Sequence, residues 1–203
     1  MGRPNPWVTQ TNTEADDVEA AQPEDVPTPV RTSGPTAPQH GGVTAPEVRL
    51  PQRQVTSSAL LWWVGVHGGA GERTLAALLV GSRPAGHAWP QLATGEHPRV
   101  VLVARTHARG LLAAQAAATE WASGLSGVDL LGLVTIADAP GRLPRPLKDL
   151  LKLVSGGVPR VWNLPWVEAW RLGETPTLDT APKAARAMVA ELSELTREKA
   201  ISR

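Results

Sequence analysis

Large apolar residues are almost absent from adjacent positions before residue 58, and from there they arrive in short continuous runs broken by turn-forming stretches. The runs at 60–66, Arg99–Arg105, 128–137 and 158–164 show no apolar–polar alternation, so each reads as a strand buried on both faces. Helical spacing fills the intervals. A short helix is expected over 72–80, ending at Gly81. Another runs over 108–123, with Leu111, Leu112, Gln115, Ala118, Thr119 and Ala122 along one face and Gly124 as its stop. Residues 144–154 open with Pro144 and stop at Gly156 and Gly157, the usual placing of proline and glycine at helix ends. A helical turn is expected over 166–172. Over 180–199, Ala185, Met188, Val189, Leu192 and Leu195 share one face, and Asp179 or Thr180 is placed to cap. The Gly-, Pro- and His-rich stretch 82–98 reads as a long loop.

Buried strands alternating with helices predict an α/β fold, a small parallel-sheet, Rossmann-like domain. Three parts follow: a tail over 1–56, the domain over 57–175, and a C-terminal amphipathic helix over 176–203. Nine of the 19 prolines fall before residue 55, among Thr, Ala, Glu and Asp, so this segment is expected to be disordered. Its charge is negative, with Pro6, Trp7 and Val8 as one apolar hook that suits a docking tether.

With no cysteine there is no disulfide, thiolate metal site or cysteine nucleophile, which fits a reducing, cytoplasmic setting. The net charge of +1 gives no general pull toward nucleic acid or membrane. No run approaches the ~20 apolar residues that span a bilayer, and the N-terminus lacks a signal-peptide core. Phe and Tyr are absent and Trp occurs eight times. With abundant Ala, Arg, Gly and Pro, that balance points to a GC-rich genome such as an actinomycete's. Most tryptophans are expected in the core, with Trp166 and Trp170 one helical turn apart as an alternative anchor patch.

The densest chemistry lies at 60–75, LLWWVGVHGGAGERTL, an apolar run feeding a glycine-rich turn and a helix start. The stretch His67, Gly68, Gly69, Ala70, Gly71, Glu72, Arg73, Thr74 resembles the phosphate-binding loop of the ParA/MinD-type P-loop ATPases. Residues 100–106, 132–136 and 160–171 are similar to later pieces of that family in the same order. The chain as a whole also resembles an uncharacterised actinomycete group that keeps the GGAGE loop, associated with mobile-element and secretion-type gene neighbourhoods. The resemblance implies a P-loop NTPase-like fold, an ATP or GTP site with magnesium, and a role in a conjugation, secretion or partition-type assembly.

The departures from that pattern are chemical. His67 stands where the family has its signature lysine, Glu72 where the catalytic lysine belongs, and Arg73 where the magnesium-binding Ser or Thr belongs. The middle portion that would carry the magnesium-holding aspartate is missing. A phosphate loop works because backbone N–H groups and a lysine face the anion. At ~4 Å and an effective dielectric near 20, one like-charge contact costs about 4 kcal/mol, so a glutamate opposes phosphate. It does suit the first turn of a helix, by ~0.3–1 kcal/mol, and can sit in the anion site itself. The expectation is therefore a degenerate loop with no catalytic residue, no cofactor and no metal, in a protein that works through a protein partner or a second copy. The alternative is an unorthodox ATPase or GTPase completed by a partner.

Other candidates cluster at the ends of the expected strands. His67, Arg105, Thr106, His107 and Asp138 form one rim, and a hydrolase-like pocket of His67, Glu72 and His107 is a third reading. His67, His87, His97 and His107 match no metal-ligand spacing. Arg142, Arg145 and Lys148 make a basic cluster that reads as a solvated face, or as a contact for an acidic partner. In the resembled family the retained strands lie in chain order, which puts the crossover helices on one sheet face. The other face then needs a cover, either the 180–199 helix or a second subunit.

Overall fold

The structure, a computed structural model, describes residues 31–201 apart from Ser33 and His40. In chain order the elements are β1 (Arg31–Thr32), β2 (Gln52–Val55), β3 (Leu61–Gly65), α1 (Glu72–Leu78), β4 (Ser82–Gly86), β5 (Trp89–Leu92), β6 (Arg99–Arg105), α2 (Ala108–Ala122), β7 (Asp129–Ile136), α3 (Arg145–Ser155), β8 (Arg160–Leu164), α4 (Glu168–Arg171) and α5 (Lys183–Ile201).

Six strands form one sheet in the order β1-β8-β7-β6-β3-β4, parallel except for β1, which runs antiparallel to β8. The fold is α/β with a mostly parallel sheet, as the buried runs imply. Strands β3, β6, β7 and β8 lie side by side in chain order. The expected loop over 82–98 is corrected: it holds β4, which extends the sheet beyond β3, and β5, which pairs with β2 in a separate two-stranded parallel ribbon. Pro84 hides β4 from a periodicity reading, and an edge strand tolerates proline.

The chain reverses direction at β3. It crosses through α1 to β4 on one side, then restarts at β6 on the other and proceeds through β7 to β8. Crossovers of one hand then place α1 on the face opposite α2 and α3. Two cores result. Trp62, Val64, Val100, Leu102 and Leu133 meet Ala114, Ala118 and Trp121 of α2 and Val154 of α3. On the other face Leu61, Trp63, Val101, Val103 and Val134 meet Leu75 and Leu78 of α1 and Ala185, Met188, Val189 and Leu192 of α5. The face expected to need a cover is covered by α1 and α5.

Three details depart from expectation. The buried face of α2 runs through Leu111, Ala114, Ala118 and Trp121, leaving Leu112 half-exposed. Helix α5 begins only after Pro182, and Thr180 hydrogen-bonds Thr177 rather than capping it. The described part of the expected tail is not loose. Val43, Leu50 and Val55 pack against the first core, and Leu50 N–H donates to the buried Glu120 Oε2 at 3.0 Å. Gln39 N–H donates to Ala122 O at 2.8 Å. Residues 1–30, with Pro6, Trp7 and Val8, lie outside the described residues. No helix among the described residues is long and apolar enough to cross a membrane.

Candidate functional site

In an open parallel sheet the crevice for a ligand lies beyond the carboxyl ends of the two strands that flank a reversal. Here those strands are β3 and β6, so the crevice lies between the 66–71 turn and residues 105–107. Residues of the expected loop and rim come together there, His67 with Arg105 and His107.

His67 is the bridge. Arg105 N–H donates to His67 Nε2 at 2.9 Å, which leaves the proton on Nδ1 to be donated to Gly68 O at 2.9 Å. The His67 and His107 ring centroids are 4.7 Å apart at 57°. His107 caps α2, its Nδ1 accepting from Gly110 N–H at 2.9 Å. His87 joins from the β4–β5 turn, with Nδ1–H donating to Gly65 O at 2.7 Å. Burial holds the His67 pKa below the ordinary 6.5, helped by the charges of His107, His87 and Arg105 and opposed by the Gly68 bond. The ring is neutral and spent on the backbone, so the hydrolase-like pocket of His67, Glu72 and His107 does not form. No hydrogen bond joins Glu72 to either ring among the described residues.

A pH dependence follows. The folded pKa is depressed, so the unfolded chain binds the proton more readily, and stability rises with pH across the window between the lowered value and 6.5. Stability is expected to fall as pH drops below 6.5, and to fall less in His67→Gln. Urea midpoints on either side of that pH check this; identical slopes in the two proteins would remove His67 as the cause.

The turn itself is a strand-to-helix corner. Gly69 and Gly71 have φ of 72° and 109°, which favour glycine, and Gly71 closes tightly on the sheet, where a methyl would stand 2.7 Å from Ile136 Cδ1. Gly68 and Gly69 are exposed, Ala70 is buried, Arg73 points outward and Thr74 is half-buried. Glu72 folds back over β3: a methyl on Gly65 would meet its Oε2 at 2.8 Å. The glutamate carboxylate thus lies beneath the turn, against the end of the strand.

Across the rim, Asp138 N–H donates to Thr106 Oγ1 at 3.2 Å, and Arg105 Nη1–H donates to Ala137 O at 3.0 Å. On the α2–α3 side, a cavity of 290 Å³ opens among Thr106, His107, Asp138, Leu147 and Asn163. Within it the buried Thr135 hydroxyl donates to Asn163 Oδ1 at 2.6 Å. The sequence reading missed this pair; a lone asparagine inside an otherwise apolar strand was the signal. Arg142, Arg145 and Lys148 are exposed, which a solvated face and a contact for an acidic partner both require. Among the described residues no group of three His, Cys, Asp or Glu side chains could hold a metal ion.

Comparison with known proteins adds one match. The family of unknown function DUF6668 matches residues 59–189, more than half of the chain and all of the elements from β3 to α4. No curated protein and no solved structure matches the chain significantly.

Proposed function

Since the chain belongs to the family of unknown function DUF6668, we propose from its geometry that it is a non-catalytic, P-loop-like protein acting through contacts with a protein partner or a second copy. The observation that carries this reading is the use to which the polar groups at the crevice are put. The place where an α/β sheet would receive a ligand holds the neutral His67 ring, bonded at both nitrogens, with Glu72 folded under the turn. A nucleotide phosphate would meet a carboxylate where it needs a cation, and no lysine lies in the turn. Helix α1 is only 7 residues long and offers little dipole to compensate.

Calorimetry with magnesium and ATP or GTP tests the reading. No binding is expected in the wild type, and micromolar affinity would overturn it. In Glu72→Lys, a gain of affinity would show that the glycine turn still forms a phosphate cradle and that the charge alone had silenced it.

A further inference from the structure

Where the ends of β6 and β8 meet α4, several buried hydrogen-bond donors have no acceptor. Strand alternation puts Arg105 on the same face as Val101 and Val103, and cross-strand pairing sets it beside Ile136, itself beside Leu164. Pro165 and Trp166 follow at once, and Trp170 of α4 packs against that same core. The Arg171 guanidinium stands over the Trp166 ring, 5.8 Å from its centroid.

Arg105 Nε, Trp166 Nε1 and Trp170 Nε1 are all buried without a hydrogen-bond partner. Trp62, Trp89 and Trp121 also have unpartnered indoles, but these belong to the first core, on the other face of the sheet. The rim set differs because it includes a cation. Guanidinium and indole N–H groups are donors only, so neither can satisfy the other. Ala137 O takes one N–H of Arg105 and leaves Nε unmatched. No ion pair joins Arg105 or Arg171 to a carboxylate among the described residues. Burial presses the Arg105 pKa down, Arg171 adds to it, and Asp138 pulls less strongly the other way. An arginine keeps its charge regardless, and a partly buried cation facing a second cation is costly until an anion arrives.

We propose that Arg105 and Arg171, with the indole edge of Trp166, form a binding site for an oxyanion, the phosphate or carboxylate group of a small molecule. Two guanidinium groups and an indole N–H supply donors that match such an acceptor-rich group. Exposed Arg171 captures the anion, and Arg105, held by Ala137 O, supplies the fixed charge. This inference does not rest on the glycine turn, which contributes no residue to the site.

Titration of the full chain with inorganic phosphate and, separately, with citrate tests it, with the indole N–H resonances of Trp166 and Trp170 as the readout. Both resonances are expected to shift saturably with at least one of the two anions, and the better ligand tells phosphate from carboxylate. Arg171→Gln, at an exposed position, is expected to weaken binding about tenfold, the scale of one charge-assisted hydrogen bond. Arg105→Lys keeps the charge while losing the fork, and is expected to weaken it as well. No saturable shift beyond that of sodium chloride at matched ionic strength, or shifts unchanged in Arg171→Gln, would overturn the proposal.

Discussion

Deleting residues 176–203 is expected to leave a chain that cannot persist as a soluble, folded monomer. Helix α5 buries Met188, Val189 and Leu192 against the sheet. At ~1.5–3 kcal/mol for each such side chain, that is on the order of 5–9 kcal/mol. Whole-domain stability is about 5–15 kcal/mol, so the loss consumes most of it. Polar ties go too. Trp162 Nε1–H donates to Glu191 Oε2 at 2.9 Å, Arg160 pairs with Glu191 at 3.6 Å, and Arg99 Nη1–H donates to Thr196 O at 2.9 Å. What remains uncovered is a sheet face of Leu61, Trp63, Val101, Val103 and Val134, an apolar patch of the kind that aggregates. Light scattering and far-UV circular dichroism decide the matter. A soluble monomer with a cooperative melt would show that α1 and the loops suffice, and that α5 is an accessory.

Gly110→Ala should be a damaging substitution at the rim, although alanine is the better helix former by about 1 kcal/mol. Gly110 lies in the first turn of α2, and an added methyl would stand 2.4 Å from Arg105 O, 2.9 Å from His67 Nε2 and 3.2 Å from His107 Cε1. The first of these is backbone at the end of a central strand and cannot swing aside. Either α2 lifts from the sheet or the His67 bridge breaks. Overpacking of this kind costs ~1–3 kcal/mol, occasionally more, so a net loss of about 2 kcal/mol is expected, a fall in melting temperature of roughly 4–8 °C for a chain of this size. Gly68→Ala is the control: its φ is ordinary and nothing lies within 4 Å of the added methyl. It is expected to stay within about 0.5 kcal/mol of wild type. Equal behaviour of the two variants in thermal melts would mean that the tight approach of α2 carries no energetic weight.

The parts of the fold legible in advance were those with continuous local signals. RVVLVAR at Arg99–Arg105 and the apolar run around Asp129–Ile136 need burial on both faces whatever their neighbours. The stripe of Met188, Val189 and Leu192 had to find an apolar surface. Strands β4 and β5, SRPAG and WPQL, lacked such a signal, because each is held by pairing with a distant strand rather than by its own side chains. The 34–56 segment was misread for the same reason: its order comes from bonds to Glu120 and Ala122 on α2, and composition cannot report them.

The candidate site divides in the same way. That His67, Arg105, His107 and Asp138 would lie along one rim was readable, since all follow buried strands and parallel strands bring their carboxyl ends together. The altered chemistry of the turn was readable as well, because Glu72 carries its charge into any conformation. What each group does there was decided only by folding. His67 is a structural bridge because Arg105 N–H, 38 residues away, reaches its Nε2. Arg105 Nε and the two indoles are left without acceptors by the way β6, β8 and α4 come together, since Glu168 of α4 reaches none of them. A sequence determines which side chains carry charge and which must be buried. Who satisfies whom is a matter of distances between residues far apart along the chain, and only the tertiary structure sets those.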